Sequence, residues 1–193
     1  MARVGVLALQ GAFIEHVRAF ERLGAEVVEV RLPEQLDALH ALVIPGGEST
    51  TMSLLMDSYG LRKPVLDLAS RGAPVWGTCA GMIMLARDVE DERVHTLELM
   101  DLKVVRNAFG RQVDSFEADL RIPTLGERPF PAVFIRAPVV EGAGDGVEVL
   151  ARLPDGRIVA ARQGQLLATA FHPELTDDPR FHKLLLDMAE RAN

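Results

Sequence analysis

The stretch VWGTCAG, residues 75–81, places the single cysteine of the chain, Cys79, between a strand-like run and a helix-like run. Glycines at positions 77 and 81 suit a turn that is too tight for larger flanking side chains. Such a nucleophile elbow points its central side chain away from the backbone at the start of a helix, where partial positive charge favours a thiolate. A buried, inert cysteine fits the same pattern, because free cysteines are among the most buried residues. The stretch alone therefore leaves both interpretations open.

A second motif with chemical potential lies in LATAFHPE, residues 167–174. In an extended strand, residues i and i+2 face the same side, so His172 and Glu174 are expected to point together. A carboxylate beside an imidazole fixes its tautomer and stabilises its charged form, as a general base requires. A surface histidine beside a solvated glutamate would read the same way. The apolar run before it favours a buried strand, whose carboxyl end is where catalytic groups gather in open α/β sheets.

A pair of glycines follows an apolar run in ALVIPGGEST, residues 41–50. Two successive glycines allow a peptide to flip and to aim an N–H into a cavity. One such donor to an oxyanion is typically worth about 100- to 1,000-fold in rate. An ordinary strand-to-helix turn with Ser49 or Thr50 as the N-cap explains the same residues, and the two interpretations are compatible.

The order of the elements predicts an α/β fold. Strands alternate with helices in the first half, which implies right-handed crossovers and a parallel sheet covered on both faces. After the elbow helix the chain reads as short strands joined by turns, with Gly164 in a terminal hairpin. Strands are expected at 3–9, 26–31, 41–44, 74–76, 102–106, 113–122, 132–136, 147–153, 158–163 and 166–171, helices at 13–23, 51–58, 63–70, 82–86 and 179–192, and a flexible loop at 142–146.

Composition narrows the possible functions. Hydrophobic residues make up 48% of the 193, enough for a real core in one domain spanning residues 1–193. The net charge is −7 and no basic stripe carries interleaved aromatics, so nucleic acid is not an expected partner. One cysteine cannot form an internal disulfide, which suits a reducing cytosol. The N-terminal residues read as a strand rather than a signal peptide, and no apolar run approaches the roughly 20 residues of a membrane helix. A cytoplasmic protein without membrane contact is expected.

The motifs together resemble the class I glutamine amidotransferases, whose triad is Cys, His and Glu in that chain order. Within that group the chain is similar to the glutaminase subunits of pyridoxal 5′-phosphate synthase. The matching stretches are GVLALQGA (5–12), PGGESTTM (45–52), GTCAG (77–81), RNAFGRQVDSFE (106–117), FIRAP (134–138) and FHPELT (171–176). The elbow and the His-x-Glu motif specify only the wider class, and the stretches 47–51 and 106–117 indicate the narrower family. The resemblance implies a single-domain, three-layer αβα fold with a flavodoxin-like, mostly parallel sheet and additional antiparallel strands.

The resemblance also implies a mechanism for glutamine hydrolysis. Cys79 would attack the side-chain amide carbon, and the backbone N–H groups of Gly47 and Ala80 would hold the oxyanion. His172 would pass the thiol proton to the departing ammonia, oriented by Glu174. No metal or other cofactor is implied, and the histidines at positions 16, 40, 95 and 182 show no ligand-like spacing and read as ordinary residues.

The implied glutamine pocket includes two arginines that adjoin predicted strand ends. A guanidinium fork matches the α-carboxylate of glutamine, although either arginine would also fit a purely structural ion pair. The implied partner is a (β/α)8-barrel synthase subunit, which receives ammonia within a hetero-oligomer and combines it with a pentose phosphate and a triose phosphate. The residues implied to line the pocket are Gly47, Glu48, Ser49, Arg106, Ile135 and Arg136.

Three alternatives remain open from the sequence. A glutaminase feeding imidazole glycerol phosphate synthesis would share the same chemistry and dock a different barrel. A non-catalytic regulatory or interaction subunit is a second alternative, against which the intact triad argues. A cysteine hydrolase of a related fold would act on peptides or small acyl groups without a partner.

Overall fold

The computed structural model describes residues 2–106 and 115–192, and their strands form one large mixed sheet and one small hairpin. The strands are β1 Arg3–Leu7, β2 Glu26–Val30, β3 Ala41–Ile44, β4 Val75–Thr78, β5 Ala86–Val89, β6 Met100–Val105, β7 Ser115–Leu120, β8 Phe130–Ile135, β9 Val139–Ala143, β10 Glu148–Arg152, β11 Ile158–Gln163 and β12 Leu166–Thr169. The α-helices are α1 Phe13–Arg22, α2 Ser49–Ser58, α3 Arg62–Ser70, α4 Ala80–Leu85 and α5 Arg180–Ala192, and short 3-10 helices cover Pro33–Leu36, Pro123–Leu125 and Pro173–Leu175.

The large sheet has a parallel half and an antiparallel half. Its strand order is β2-β1-β3-β4-β12-β11-β9-β6-β5, with β10 paired to β11. Neighbours from β2 to β12 are parallel, as are β5 and β6. The strand β11 runs antiparallel to β12, β9 and β10, and β6 runs antiparallel to β9. The separate hairpin joins β7 and β8. The predicted parallel sheet with additional antiparallel strands is confirmed.

Helices cover both faces of the parallel half. The crossovers from β1 to β2 and from β3 to β4 run in opposite directions along the sheet, so right-handedness places α1 and α2 on opposite faces. On one face α1 meets α5 through a contact between His16 and His182. On the other face α2 packs against α4. The result is the predicted three-layer αβα arrangement, and no helix within the described ranges is long and apolar enough to cross a membrane.

The central strands and the aromatic residues packed against them form part of the core. Every residue of β3 and β4 is buried, as expected for parallel strands covered on both faces. Trp76 of β4 stacks on Phe181 of α5 with ring centroids 5.7 Å apart, and Phe171 packs edge-on against Phe181 at 5.5 Å. Most of the buried apolar residues described here belong to one hydrophobic cluster, and the single domain over residues 1–193 stays a prediction.

Four expectations about local structure need correction. The predicted flexible loop at 142–146 begins inside β9, because Gly142 pairs with Lys103 of β6 and its backbone groups are satisfied by that ladder. The strand predicted at 166–171 ends at Thr169, before the 3-10 turn that holds the histidine motif. Neither β5 nor β9 was expected from the sequence. Within the family-specific stretch 106–117, residues 107–114 lie outside the described residues.

The fourth correction concerns the start of α2. Glu48, rather than Ser49 or Thr50, is the N-cap, and its carboxylate accepts hydrogen bonds from the backbone N–H groups of Thr50 (3.2 Å) and Thr51 (2.7 Å). A charged cap also complements the positive end of the helix. Burial would raise the pKa of Glu48, but these hydrogen bonds outweigh it and lower the pKa to about 2. Glu48 is therefore a carboxylate throughout the physiological range.

Candidate active site

The elbow between β4 and α4 holds Cys79 in a strained backbone conformation. Its φ is 49° and its ψ is −105°, a region that residues other than glycine rarely occupy. A Cβ added at Gly77 would lie 2.3 Å from the carbonyl oxygen of Gly81, and one added at Gly81 would lie 1.9 Å from that of Ile44. Only glycine fits at both positions, as the sequence predicted, so the elbow packs directly against the end of β3.

The histidine motif lies in a turn rather than in a strand. His172 precedes the 3-10 helix Pro173–Leu175, and its N–H donates to the carbonyl of Val133 in β8 at 2.8 Å. Despite the different backbone, the two side chains meet as predicted, with Nδ1 of His172 2.7 Å from Oε1 of Glu174. The Glu174 side chain is fully buried and that of His172 nearly so. The turn therefore achieves the contact that the sequence analysis attributed to i, i+2 spacing in a strand.

The side chains of Cys79 and His172 are neighbours that line the same cavity, and a Cβ added at Gly46 would touch both. Burial lowers the pKa of His172, but the hydrogen bonds and charges of Cys79 and Glu174 outweigh it and raise the pKa to about 10. His172 is therefore an imidazolium near neutral pH. The sulfur lies 3.8 Å from the carbonyl oxygen of Ile135. The three predicted catalytic residues thus form one connected arrangement.

A cavity of about 410 Å³ opens above the sulfur. It brings together every residue that the sequence analysis assigned to catalysis or glutamine binding except Glu174, which lies behind His172. It also includes two residues that were not assigned to the site, Gln10 and Ile83. The lining residues are Gln10, Gly47, Glu48, Ser49, Cys79, Ala80, Ile83, Arg106, Ile135, Arg136 and His172.

The two arginines of the cavity differ in how much of their hydrogen-bonding capacity is already used. The guanidinium of Arg106 forms ion pairs with Asp91 and with Glu48, the latter at 3.1 Å. Arg136 is exposed and, within residues 2–106 and 115–192, makes no hydrogen bond or ion pair through its side chain. Its backbone φ of 42° holds it at the tight turn after β8. Arg136 is thus the arginine whose fork is available to a ligand.

The two predicted oxyanion-hole residues line the cavity from different elements. Ala80 is the first residue of α4, so its N–H has no partner within the helix. Gly47 lies in the loop after β3, against the side chain of Gln10. The Gln10 amide brackets the next residue: Oε1 accepts from the N–H of Glu48 at 3.1 Å, and Nε2 donates to its carbonyl at 3.4 Å. The loop that carries Gly47 is therefore tied to the turn after β1.

Two buried histidines that the sequence analysis treated as ordinary lie behind the triad. Nε2 of His16 is 3.3 Å from Oε2 of Glu174, and Nδ1 of His16 is 3.0 Å from Nε2 of His182. A sequence signal existed, because His16 follows Phe13 by three residues and precedes Phe20 by four, on the apolar face of α1. Within the described ranges, no group of three or more His, Cys, Asp or Glu is arranged to hold a metal ion.

Comparisons with known proteins identify the family of this chain. The model of the SNO glutamine amidotransferase family matches residues 6–191. A pyridoxal 5′-phosphate synthase subunit PdxT from Dehalococcoides mccartyi is 60% identical over 97% of this chain and 97% of its own length, and one from Herpetosiphon aurantiacus is 60% identical over 96% and 99%.

Among solved structures, a glutamine amidotransferase that is 51% identical superposes with a TM-score of 0.91, covering 97% of this chain and 98% of its own. The structure of PurLQS from Thermotoga maritima, 18% identical with a TM-score of 0.70 over 96% and 98%, shares the fold. A family model that spans nearly the whole chain, together with these identities, shows that this chain belongs to the SNO glutamine amidotransferase family.

Proposed function

We propose that this chain hydrolyses L-glutamine to L-glutamate and ammonia as the glutaminase subunit of pyridoxal 5′-phosphate synthase. The proposal rests on Cys79 and His172, which line a cavity of about 410 Å³, and on Glu174, which contacts Nδ1 of His172 from behind. The relatives at 60% identity are named as subunits of that synthase, which supports the choice of partner. A glutaminase of another synthase has no comparable support, because PurLQS at 18% identity shares only the fold.

The first half of the reaction uses the thiolate–imidazolium pair. The Cys79 sulfur attacks the side-chain amide carbon, and the electron pair of the C=O bond moves to oxygen, stabilised by the N–H groups of Gly47 and Ala80. The intermediate collapses with cleavage of the C–N bond, and His172 gives its proton to the departing nitrogen, which leaves as ammonia. The product is a γ-glutamyl thioester on Cys79, with His172 now neutral.

The second half of the reaction hydrolyses the thioester. Neutral His172 accepts a proton from water as the water oxygen attacks the thioester carbon. The C–S bond then breaks, glutamate leaves, and the thiolate–imidazolium pair is restored. Glu174 holds the ring through Nδ1 in both halves, so Nε2 always faces the reacting atoms.

Charged groups around the cavity suit the two ends of free glutamine. The guanidinium of Arg136, which has no partner among the described residues, is placed to bind the α-carboxylate, and a bidentate contact of this kind is strongly directional. The Glu48 carboxylate, ionised and at the cavity wall, suits the α-ammonium group. Arg106 holds Glu48 in place from behind, which is a supporting role rather than direct carboxylate binding. Ser49 and Ile135 would complete the pocket walls.

Ammonia is mostly protonated near neutral pH and loses its nucleophilicity when it escapes, so glutaminase activity without an acceptor would be wasteful. The Gly47 loop is bonded to the turn after β1 through Gln10, and the N–H of Ala12 donates to the carbonyl of Gly46 at 3.0 Å. A partner that docks on this turn would therefore act directly on the oxyanion loop. A shift of a few kcal/mol between two loop orientations changes the active population by orders of magnitude.

Titration with the barrel subunit tests this function. The chain at saturating glutamine is mixed with increasing amounts of a pyridoxal 5′-phosphate synthase barrel subunit, and glutamate and pyridoxal 5′-phosphate are both quantified. We expect little glutamate release alone and a saturable rise with the partner, matched by pyridoxal 5′-phosphate formation. Full activity without the partner would support the stand-alone hydrolase, and no glutamate at any ratio would refute the glutaminase proposal.

A further inference from the structure

The buried histidine of α1 offers a further role within the proposed reaction. We propose that His16 is a positioning residue of the triad, which donates its Nε2–H to Oε2 of Glu174 and is itself held in that tautomer by His182. The effect on rate rests on the proposed glutaminase function, whereas the tautomer is a property of the folded chain alone.

The second carboxylate oxygen of Glu174 is buried without a hydrogen-bond donor among the described residues. Oε1 is used by His172, while Oε2 is buried and has no hydrogen-bond partner among the described residues. A buried carboxylate oxygen without a donor is costly, so a nearby N–H is expected to point at it. Nε2 of His16 lies 3.3 Å away, with both side chains fully buried. The carboxylate thus bridges two imidazoles, one on the reactive side and one behind it.

The contact with Glu174 determines which ring nitrogen of His16 is protonated. A carboxylate can only accept, so the nitrogen of His16 that faces Oε2 has to carry hydrogen. Thr78 Oγ1, also 3.3 Å from that nitrogen, is its hydrogen-bond partner in the structure, so the proposed donation to Oε2 requires the N–H to be shared between the two oxygens. Burial foremost, and then the neighbouring His182 and His172, lower the pKa of His16 well below its usual range. His16 is thus neutral, and its Nδ1 is an acceptor.

The acceptor nitrogen Nδ1 of His16 has His182 as its partner. Nε2 of His182 lies 3.0 Å from Nδ1 of His16, so it has to be the protonated nitrogen of His182. Nδ1 of His182 is then a bare acceptor, which agrees with its having no hydrogen-bond partner among the described residues. The rings also contact Trp76 edge-on, with centroids 5.3 Å from His16 and 5.1 Å from His182. With these tautomers, the N–H of His182 points towards His16 and the N–H of His16 points towards Glu174.

This arrangement explains how Glu174 keeps its orientation during turnover. His172 alternates between charged and neutral, so the pull on Oε1 changes within each cycle. A second donor on Oε2, mounted on α1 and backed by α5, holds the carboxylate while that pull weakens. Removal of a hydrogen bond to a charged group of this kind is expected to lower kcat by about 10- to 100-fold.

Nitrogen NMR on the unmodified chain tests the tautomers without any assay of glutamine hydrolysis. Uniformly 15N-labelled protein at neutral pH is examined for the ring-nitrogen shifts of its five histidines, assigned with His16→Gln and His182→Gln. We expect both His16 and His182 to be neutral and protonated at Nε2. A His16 ring that is charged, or protonated at Nδ1, would overturn the proposal whether or not the chain is a glutaminase.

Amide substitutions test the effect on rate in the complex with the barrel subunit. Glutamine at position 16 can place an N–H near Nε2, whereas asparagine can place one only near Nδ1 and leucine none. We expect His16→Gln to keep kcat within a few-fold, and His16→Asn and His16→Leu to lose about 10- to 100-fold with KM for glutamine little changed. His95→Gln, at an exposed histidine, controls for histidine loss. Equal kcat for the Gln and Asn variants, or a wild-type kcat for His16→Leu, would contradict the proposal.

Discussion

Replacement of Gly46 with alanine should disable the triad while leaving the glutamine cavity in place. A Cβ at Gly46 would lie 2.4 Å from Cε1 of His172, 3.0 Å from its Nδ1 and 3.3 Å from Cβ of Cys79. Ordinary contact between carbon atoms is about 3.5 Å, so the ring has to move by about 1 Å. A displacement of that size in a catalytic group costs about 100-fold in rate. We therefore expect kcat to fall about 100-fold, with KM for glutamine within a few-fold of wild type.

The assay is glutamate release at saturating barrel subunit, with thermal unfolding recorded in parallel. Gly142→Ala is the matched control, because a Cβ there would meet only Cβ of Lys103 at an ordinary 3.6 Å. The control should keep the wild-type rate. If Gly46→Ala retained a third or more of wild-type kcat with an unchanged melting temperature, the assignment of His172 as a tightly packed catalytic base would be refuted.

Three further substitutions separate the roles of charged groups. Arg136→Ala should raise KM for glutamine by about 10-fold or more with little effect on kcat, whereas Arg106→Ala should chiefly lower the melting temperature, because it leaves Glu48 without its cation; equal KM values in both variants would contradict this division. Glu174→Gln should lower kcat and shift the pH–rate profile to lower pH, because the charge that helps to raise the pKa of His172 is lost. An unchanged pH–rate profile would show that Glu174 has only a structural role. Burial, and then Arg22, lower the pKa of His182 to about 3, so the unfolded chain binds more protons below about pH 6.5 and stability is lost as pH falls. Between about pH 7.5 and 5 the unfolding free energy of the wild type should fall by about 2 kcal/mol more than that of His182→Gln. If chemical denaturation gave both proteins the same pH dependence of unfolding free energy, this prediction would be wrong.

The parts of the site that follow from sequence are those fixed by local backbone demands. Gly77 and Gly81 predict the elbow, because no other residue fits the close contacts at these positions. The glycine pair after β3 predicts the neighbouring loop. Both lie at carboxyl ends of neighbouring parallel strands, so the α/β order also places Cys79 near Gly47. His172 and Glu174 are only two residues apart, so their side chains meet in the observed 3-10 turn as they would have in the predicted strand.

The parts that sequence did not reveal depend on packing between distant elements. His16 and His182 are separated by 166 positions, and only the docking of α1 on α5 makes them partners. The ion pair of Arg106 with Asp91 likewise joins separate loops, so the sequence could not tell a structural arginine from one that is free for substrate. Gly142 was predicted to lie in a flexible loop because it is a glycine, but it pairs with Lys103 of β6, a contact between separate strands that the sequence does not show.

The most direct test of the account is to trap the proposed covalent intermediate. The complex with the barrel subunit is quenched with acid during turnover of glutamine, digested, and analysed by mass spectrometry beside Cys79→Ala. We expect one γ-glutamyl group, found only on the peptide that contains Cys79, and neither adduct nor glutamate release in the alanine variant. Continued glutamate release by Cys79→Ala would contradict the covalent mechanism.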